Sequence, residues 1–385
     1  MSRDLDLIVY GATGFTGQLV AEYLVASAPA GITWGMGGRS LTKLQETRDA
    51  IGAPSDIPLI VADSDDPASL RALVEKTRVV ITTVGPYQLY GNDLVAACAA
   101  TGTGYVDLCG EPAWMRHMID AHDAEAKRTG ARIVFSCGFD SIPFDLGVLT
   151  LQEAAIAKHG RPAPRVKGRV RSMKGGFSGG TAASLKATLA AAARDPSLVK
   201  LLTSPFALTP GFAGPHQPTG LLPEYDSDIG AWVAPFIMAP INTKNVHRTN
   251  FLLGESYGAD FVYDEMMVAG LGDLGKAAAE AIAKINPLAS DKGPKPGEGP
   301  SKEERDTGHY DLLFVGLMPD GERVEAVVTG DRDPGYGSTS KMITEAALTL
   351  LDTESAGGIW TPGALMGPAL RQRLVDRAGL TFVAA

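Results

Sequence analysis

The sequence predicts an α/β protein, a doubly wound parallel sheet followed by a second, mixed α+β domain. Three observations carry this. Over the first 145 residues, short apolar runs alternate with amphipathic segments. A glycine-rich turn, Gly11-Ala12-Thr13-Gly14-Phe15-Thr16-Gly17, closes the first run and opens the first amphipathic segment. Beyond about residue 160 this rhythm is lost. Strands separated by helices build a parallel sheet covered on both faces. Right-handed crossovers then bring every strand's C-terminal end to one edge.

The strand candidates are Asp6–Tyr10, Ile32–Met36, Pro58–Ala62, Val79–Val84, Gly104–Leu108 and Arg132–Ser136. Between them lie Thr16–Ala28, Leu41–Ile51, Pro67–Lys76, Asn92–Thr101 and Pro112–Thr129. These carry apolar residues at helical spacing, as Leu70, Leu73 and Val74 do. Further on, Arg165–Arg171 alternates charge with Val or Gly, the pattern of a half-exposed strand. Val315–Pro319 and Arg323–Thr329 read as a hairpin around Asp320-Gly321. Helices are expected at Thr181–Ala193, Asp273–Ile285 and Thr339–Leu351. Residues 286–308, rich in Pro, Gly and charge, read as a mobile surface loop. The expected domains are 1–145 and 146–345, with a C-terminal segment 346–385.

Composition narrows the function. The 385 residues hold 35 Lys+Arg against 44 Asp+Glu, a net charge of -9, which argues against nucleic acid as the main partner. Apolar residues make up 45%, enough for a real core. Three cysteines, at 98, 109 and 137, form no disulfide framework and suit a reducing compartment. No run reaches the roughly 18 apolar residues of a membrane span. The charged start lacks the apolar region of a signal peptide. A soluble, cytoplasmic protein is the expectation.

The glycine turn has the spacing GxxGxxG. After a first strand and before a helix, glycines let the backbone approach a pyrophosphate, and the helix start supplies N–H groups and partial positive charge. The second strand ends in Gly37-Gly38-Arg39-Ser40, with no acid from Gly31 through Gln45. An NAD site usually places Asp or Glu there for the ribose hydroxyls. Arg39, Ser40 and Lys43 point instead to a 2′-phosphate, hence NADP(H). Asp63, ending the third strand, either borders the adenine or is an ordinary strand-end carboxylate. The fourth strand ends in Val84-Gly85-Pro86-Tyr87, where the chain passes the nicotinamide half. Tyr87 is either a proton donor or an aromatic wall. His117 and His122 sit five apart on a helix and find no metal-ligand partners, so no metal is expected. Cys109 and Cys137 have acidic rather than basic neighbours, which favours packing over nucleophilic roles.

Further motifs are Cys137-Gly138-Phe139-Asp140-Ser141-Ile142-Pro143-Phe144-Asp145-Leu146-Gly147, Gly179-Gly180-Thr181 and Gly330-Asp-Arg-Asp-Pro-Gly-Tyr-Gly-Ser-Thr-Ser-Lys341. With GATGFTG, Gly37-Gly38-Arg39, Gly85-Pro86-Tyr87 and Gly358-Ile-Trp-Thr-Pro-Gly, the chain resembles the saccharopine dehydrogenase-like oxidoreductases. Within them it is similar to the branch holding the mycobacterial trans-acting enoyl reductases. The resemblance implies a Rossmann NADP-binding domain, a mixed substrate domain and a C-terminal segment packed back on the first domain. It also implies reduction of a C=C or C=N bond. Lipid-like acyl substrates follow from it, free or carrier-bound, as does peripheral contact with membrane or lipid. A homodimer is left open.

On physical grounds, Pro143 suits a first helical turn and Ser141 or Asp140 its cap. The competing reading turns backbone N–H groups of Cys137, Gly138, Phe139 and Asp140 toward the nicotinamide. Arg332, Tyr336 and Lys341 lie in a glycine-rich loop that either closes over a ligand or makes a tight turn. For an enoyl thioester, donors at 138–141 or 179–181 would hold the enolate oxygen, and Tyr87 or Tyr336 would supply a proton. The apolar run Ile229–Ile241, with Trp232 and Phe236, would line an acyl pocket or meet a membrane or partner. Two rivals stand: an imine reductase of amino-acid adducts, which needs clustered arginines, and a non-catalytic NADP-binding sensor or scaffold.

Overall fold

The computed structural model describes residues 3–175, 179–285 and 298–384. The first six strands are β1 (Leu5–Tyr10), β2 (Trp34–Gly38), β3 (Leu59–Val61), β4 (Thr77–Thr82), β5 (Gly104–Val106) and β6 (Arg132–Val134). They lie in the order β6-β5-β4-β1-β2-β3 and every pair is parallel. Val9 of β1 pairs with Met36 on one side and Ile81 on the other. Leu7, Ile8 and Val9 are fully buried, as a strand covered on both faces requires. Helices Phe15–Ser27, Pro67–Val74, Asn92–Thr101 and Pro112–Thr129 connect the strands. Pro67 stands in a first turn behind Asp66, whose carboxylate accepts the Ala68 N–H.

The second sheet begins with β7 (Arg165–Lys174), β8 (Glu224–Asp226), β9 (Ala231–Pro235), β10 (Val262–Gly270), β11 (His309–Leu317) and β12 (Arg323–Gly330). Its order is β12-β11-β7-β10-β9-β8, and only β7 and β10 run parallel. The hairpin around Asp320-Gly321 is the β11–β12 connection. Helix Ile142–His159, apolar nearly all round, lies between the layers and packs on β11 and β12. Residues past 352 then add β13 (Gly358–Trp360), parallel to β6 in the first sheet, and β14 (Leu380–Ala384), antiparallel to β12 in the second. Helix Thr339–Asp352 covers the first sheet at β4 and β5.

Some expectations change. Arg165, Lys167 and Arg169 do not form an exposed basic face. The loop after β8 folds over them, and Lys167 pairs with Asp226 at 2.8 Å and Asp228 at 2.6 Å. Arg169, fully buried, pairs with Asp226 and Asp264, each at 2.8 Å. Arg165 also pairs with Asp264. Ile229–Ile241 is not one segment: its first half is β9, and its end enters helix Ala239–Leu252. That helix was unexpected, because its sequence is polar, yet Asn242, Lys244, Asn245, His247, Arg248, Thr249 and Asn250 are all buried. Residues 286–297 of the expected loop lie outside the described residues, and a short helix, Lys302–Asp306, follows. Among the described residues no helix is long and apolar enough to cross a membrane.

Candidate functional site

β1 runs into Gly11, whose φ of +89° favours glycine. A Cβ at Gly11 would stand 2.8 Å from Val84 Cγ2, and one at Gly17 would stand 2.2 Å from the Gly11 carbonyl oxygen. Helix Phe15–Ser27 therefore starts hard against the end of β1. Its N-cap is Gly14, with no side-chain cap and no acid in the first turn. The N–H groups at this helix start are left for an external anion, which fits a dinucleotide pyrophosphate. Ala12 is buried, and Thr13 leans toward Gly38 at the end of β2. The Phe15 ring turns instead to the second half of the chain, meeting Tyr336 edge-on at 4.8 Å and the Arg305 guanidinium at 5.5 Å.

On the β2–β3 side of this turn, Arg39 is exposed and forms no ion pair among the described residues. Ser40 caps the next helix, accepting the Lys43 N–H at 3.4 Å, and Lys43 is exposed. The Asp63 carboxylate accepts the Asp65 N–H. Burial, with Asp63 adding to it, pushes the Tyr10 phenol up to about 12. No acid replaces Arg39 at the end of β2.

On the β4–β6 side lies a cavity of about 400 Å³. Thr16, Gly85, Gly138, Phe139 and Asp140 form its wall toward the first sheet. Met173, Leu189, Leu202, Phe236, Met238 and Ile241 face them, and Pro334, Gly335 and Thr339 close one side. Among the described lining residues Asp140 is the sole ionisable carboxyl, and no Arg or Lys joins it. Its carboxyl has no hydrogen-bond partner among them, and burial pushes it up to about 7.

The other expected residues fall differently. Tyr87 lines the cavity with its ring, but its hydroxyl accepts the Leu108 N–H at 3.0 Å and donates to the Thr82 carbonyl at 3.4 Å. Burial holds that phenol well above its ordinary range. A hydroxyl tied to the sheet edge is a wall rather than a proton donor. Pro86 only precedes the short turn Tyr87–Tyr90, whose N–H groups at Tyr87 and Gln88 donate to the Glu111 carboxylate. Tyr336 sits in a π-helical turn, Pro334–Ser338, buried against Phe15 and outside the cavity lining. Asp333 holds that turn by accepting the Tyr336 and Gly337 N–H groups. Cys137 is buried behind the lining, and burial pushes its thiol well up. The side chains of Gly179-Gly180-Thr181 lie outside the described residues.

The loop after β6 is strained. Ser141 has φ +152° and stands at the N-cap of helix Ile142–His159, yet it makes no cap bond. Its hydroxyl meets Asn245 and Asn242 instead. The Phe139 N–H donates to Thr339 Oγ1, and the Ser141 N–H to the Phe139 carbonyl. Sequence reasoning missed Thr339, Asn242, Asn245 and Glu111. The one available signal was the density of Asn, Thr and His directly after the apolar stretch Phe236–Met238.

A helix start free for pyrophosphate, an Arg39 without an ion pair among the described residues and a cavity on the β4–β6 side are those of a dinucleotide-dependent oxidoreductase built on a Rossmann-like sheet. Residues 7–134 match the saccharopine dehydrogenase NADP binding domain, and NADP(H) is the cofactor. The chain belongs to the trans-acting enoyl reductase family. It is 41% identical to a Mycobacterium tuberculosis protein named for that activity, over 97% of this chain and 96% of the relative. It is 37% identical to the trans-acting enoyl reductase of Mycobacterium leprae over the same shares. In fold it is similar to apo saccharopine dehydrogenase (L-Glu forming) of Saccharomyces cerevisiae, with a TM-score of 0.54 and 12% identity, covering 99% of this chain and 100% of that one.

Proposed function

We propose that the protein reduces the carbon–carbon double bond of an α,β-unsaturated acyl thioester with NADPH, in the cytoplasm, on a free or carrier-bound chain. The observation that carries this is the apolar cavity in which Asp140 is the sole carboxyl among the described lining residues. NADPH, when bound, would supply the hydride that the β-carbon takes. The double-bond electrons move toward the thioester oxygen, and the α-carbon then takes a proton. Asp140, pushed up to about 7, keeps a proton in about half of the molecules at neutral pH and gives that proton. The N–H groups of Gly138 and Asp140 have no partner among the described residues and suit the enolate oxygen. Leu189, Leu202, Phe236 and Ile241 exclude water and receive the acyl chain. Phe236 was expected there; Trp232 packs with Tyr225 instead.

The imine reading is weaker. A substrate with several carboxylates needs arginines, and Arg165 and Arg169 are paired with aspartates on the second sheet. The test offers NADPH with a medium-chain enoyl thioester and, separately, with a keto acid and an amino acid. Saturated thioester formed mole for mole with NADP+ is the expected result. Reduction of the imine pair alone would overturn the reading, and oxidation of NADPH with neither would favour a sensor or scaffold.

A further inference from the structure

We propose that Asn242 and Asn245, acting through Ser141, are positioning residues that hold the Asp140 carboxyl in the cavity. The proposal rests on the reading of Asp140 as the proton source. Ser141 follows Asp140 directly, and its φ of +152° lies in a region that side-chain-bearing residues avoid. Such a conformation persists only where the surroundings over-determine it. Here they do. The Ser141 hydroxyl accepts from Asn245 Nδ2 at 2.5 Å and lies 3.5 Å from Asn242 Oδ1. Asn242 Nδ2 donates to Glu265 at 2.9 Å, and the Tyr263 hydroxyl donates to the other oxygen of that carboxyl, also at 2.9 Å. Ser141, Asn242, Asn245, Glu265 and Tyr263 are all buried.

A serine at a helix N-cap ordinarily spends its oxygen on the helix N–H groups. Ser141 does not. Its bonds run to the second half of the chain, so a buried polar line joins β10, helix Ala239–Leu252 and the loop before Ile142. Buried polar groups are costly unless they are satisfied; among the described residues every side-chain polar atom of this line except Asn245 Oδ1 is hydrogen-bonded, and those bonds fix one geometry. The same helix carries Pro240 and Ile241 in the cavity wall. One element thus shapes the chain-binding wall and fixes the backbone beside Asp140. No charged neighbour acts on Asp140, and burial alone raises it. Its protonation therefore reports directly on how firmly the loop keeps it out of water.

The test titrates the Asp140 carboxyl carbon by NMR in cofactor-free protein and measures kcat against pH. The variants are Asp140→Asn, Ser141→Ala and Asn245→Leu, with Ser141→Gly added because glycine accepts the φ without strain and so protects folding. Wild type should titrate near 7. In the clamp variants the carboxyl should fall by about one unit or more toward the ordinary range near 4. The pH at which kcat declines should move with it, kcat should drop about 10-fold or more, and the NADPH Kd should stay within about twofold. If Asp140→Asn keeps wild-type kcat and pH profile, the proton-source reading fails and the clamp with it. If Asp140→Asn loses both while the clamp variants titrate and turn over as wild type, the clamp alone is overturned. Parallel losses of Tm, NADPH binding and kcat with an unmoved titration would make the line a structural support only, and would also overturn it.

Discussion

Thr339 accepts the Phe139 N–H at 3.0 Å and donates to the Pro334 carbonyl at 2.7 Å, so one hydroxyl joins two cavity walls 200 residues apart in sequence. Thr339→Val keeps the volume and removes both bonds. The Phe139 N–H, which is buried, is then left unsatisfied, at a cost of about 1–3 kcal/mol. Urea unfolding should show that loss as a lower midpoint with an unchanged slope. A midpoint equal to wild type would mean that the two walls are held by packing.

Cofactor choice should depend on Arg39. The glycine turn serves a pyrophosphate common to both cofactors and cannot discriminate. Arg39 forms no ion pair among the described residues and stands at the end of β2, where a 2′-phosphate would lie. A charge-assisted hydrogen bond contributes about 1.5–3 kcal/mol. Arg39→Ala should therefore weaken NADPH about 10–100-fold and NADH much less. Calorimetric titration of both cofactors decides it, and equal losses would assign Arg39 to adenine stacking.

The acyl chain should be measured by the cavity. Met238 lines it beside Phe236. Met238→Trp fills part of the space, so kcat/KM should fall about tenfold or more for long enoyl thioesters and little for short ones. A uniform loss across chain lengths would place the chain elsewhere.

Acid stability should turn on His247. Its ring lies between Phe206 and Phe261, its Nε2 has no hydrogen-bond partner among the described residues, and burial with help from Lys244 lowers it to about 3. An unfolded histidine takes its proton near 6.5. The unfolded chain thus binds more protons below that pH, and the stability this group contributes is complete above 6.5 and lost as pH falls. His247→Phe lacks the penalty. The variant should gain on wild type between about pH 6.5 and 4, with no relative change above about 7. A constant difference in unfolding free energy over that range would show that His247 takes up its proton in the fold as readily as in the unfolded chain.

What the sequence discloses follows burial. The strands of the first sheet are buried on both faces, so Leu5–Tyr10 and Thr77–Thr82 read as apolar runs. The glycine turn is legible because Gly11 and Gly17 leave no room for a Cβ. β10 hides Asp264 and Glu265 in a strand, satisfied by Arg169 and Asn242 from elsewhere and by Tyr263 of the same strand, so its acids break the apolar run that would betray it. Helix Ala239–Leu252 is masked in the same way. At the site, Tyr87 and Tyr336 looked like proton donors because a phenol's direction is set by tertiary neighbours: Leu108 and Thr82 for one, Phe15 for the other. Asp140 shares its cavity with walls supplied by residues 236–241 and 334–339, far from it in sequence, and burial there raises its carboxyl.

The strands β13 and β14 bear on how such enzymes can be recombined. The nucleotide sheet takes its outer strand from residues 358–360 and its covering helix from Thr339–Asp352. A chimera that exchanged only residues 1–141 between relatives would leave β6 beside a foreign partner and Phe139 opposite a foreign Thr339. The heritable unit of cofactor binding is therefore discontinuous, two stretches of gene that must travel together. The second sheet, by contrast, is built from the insert between them and closed by β14.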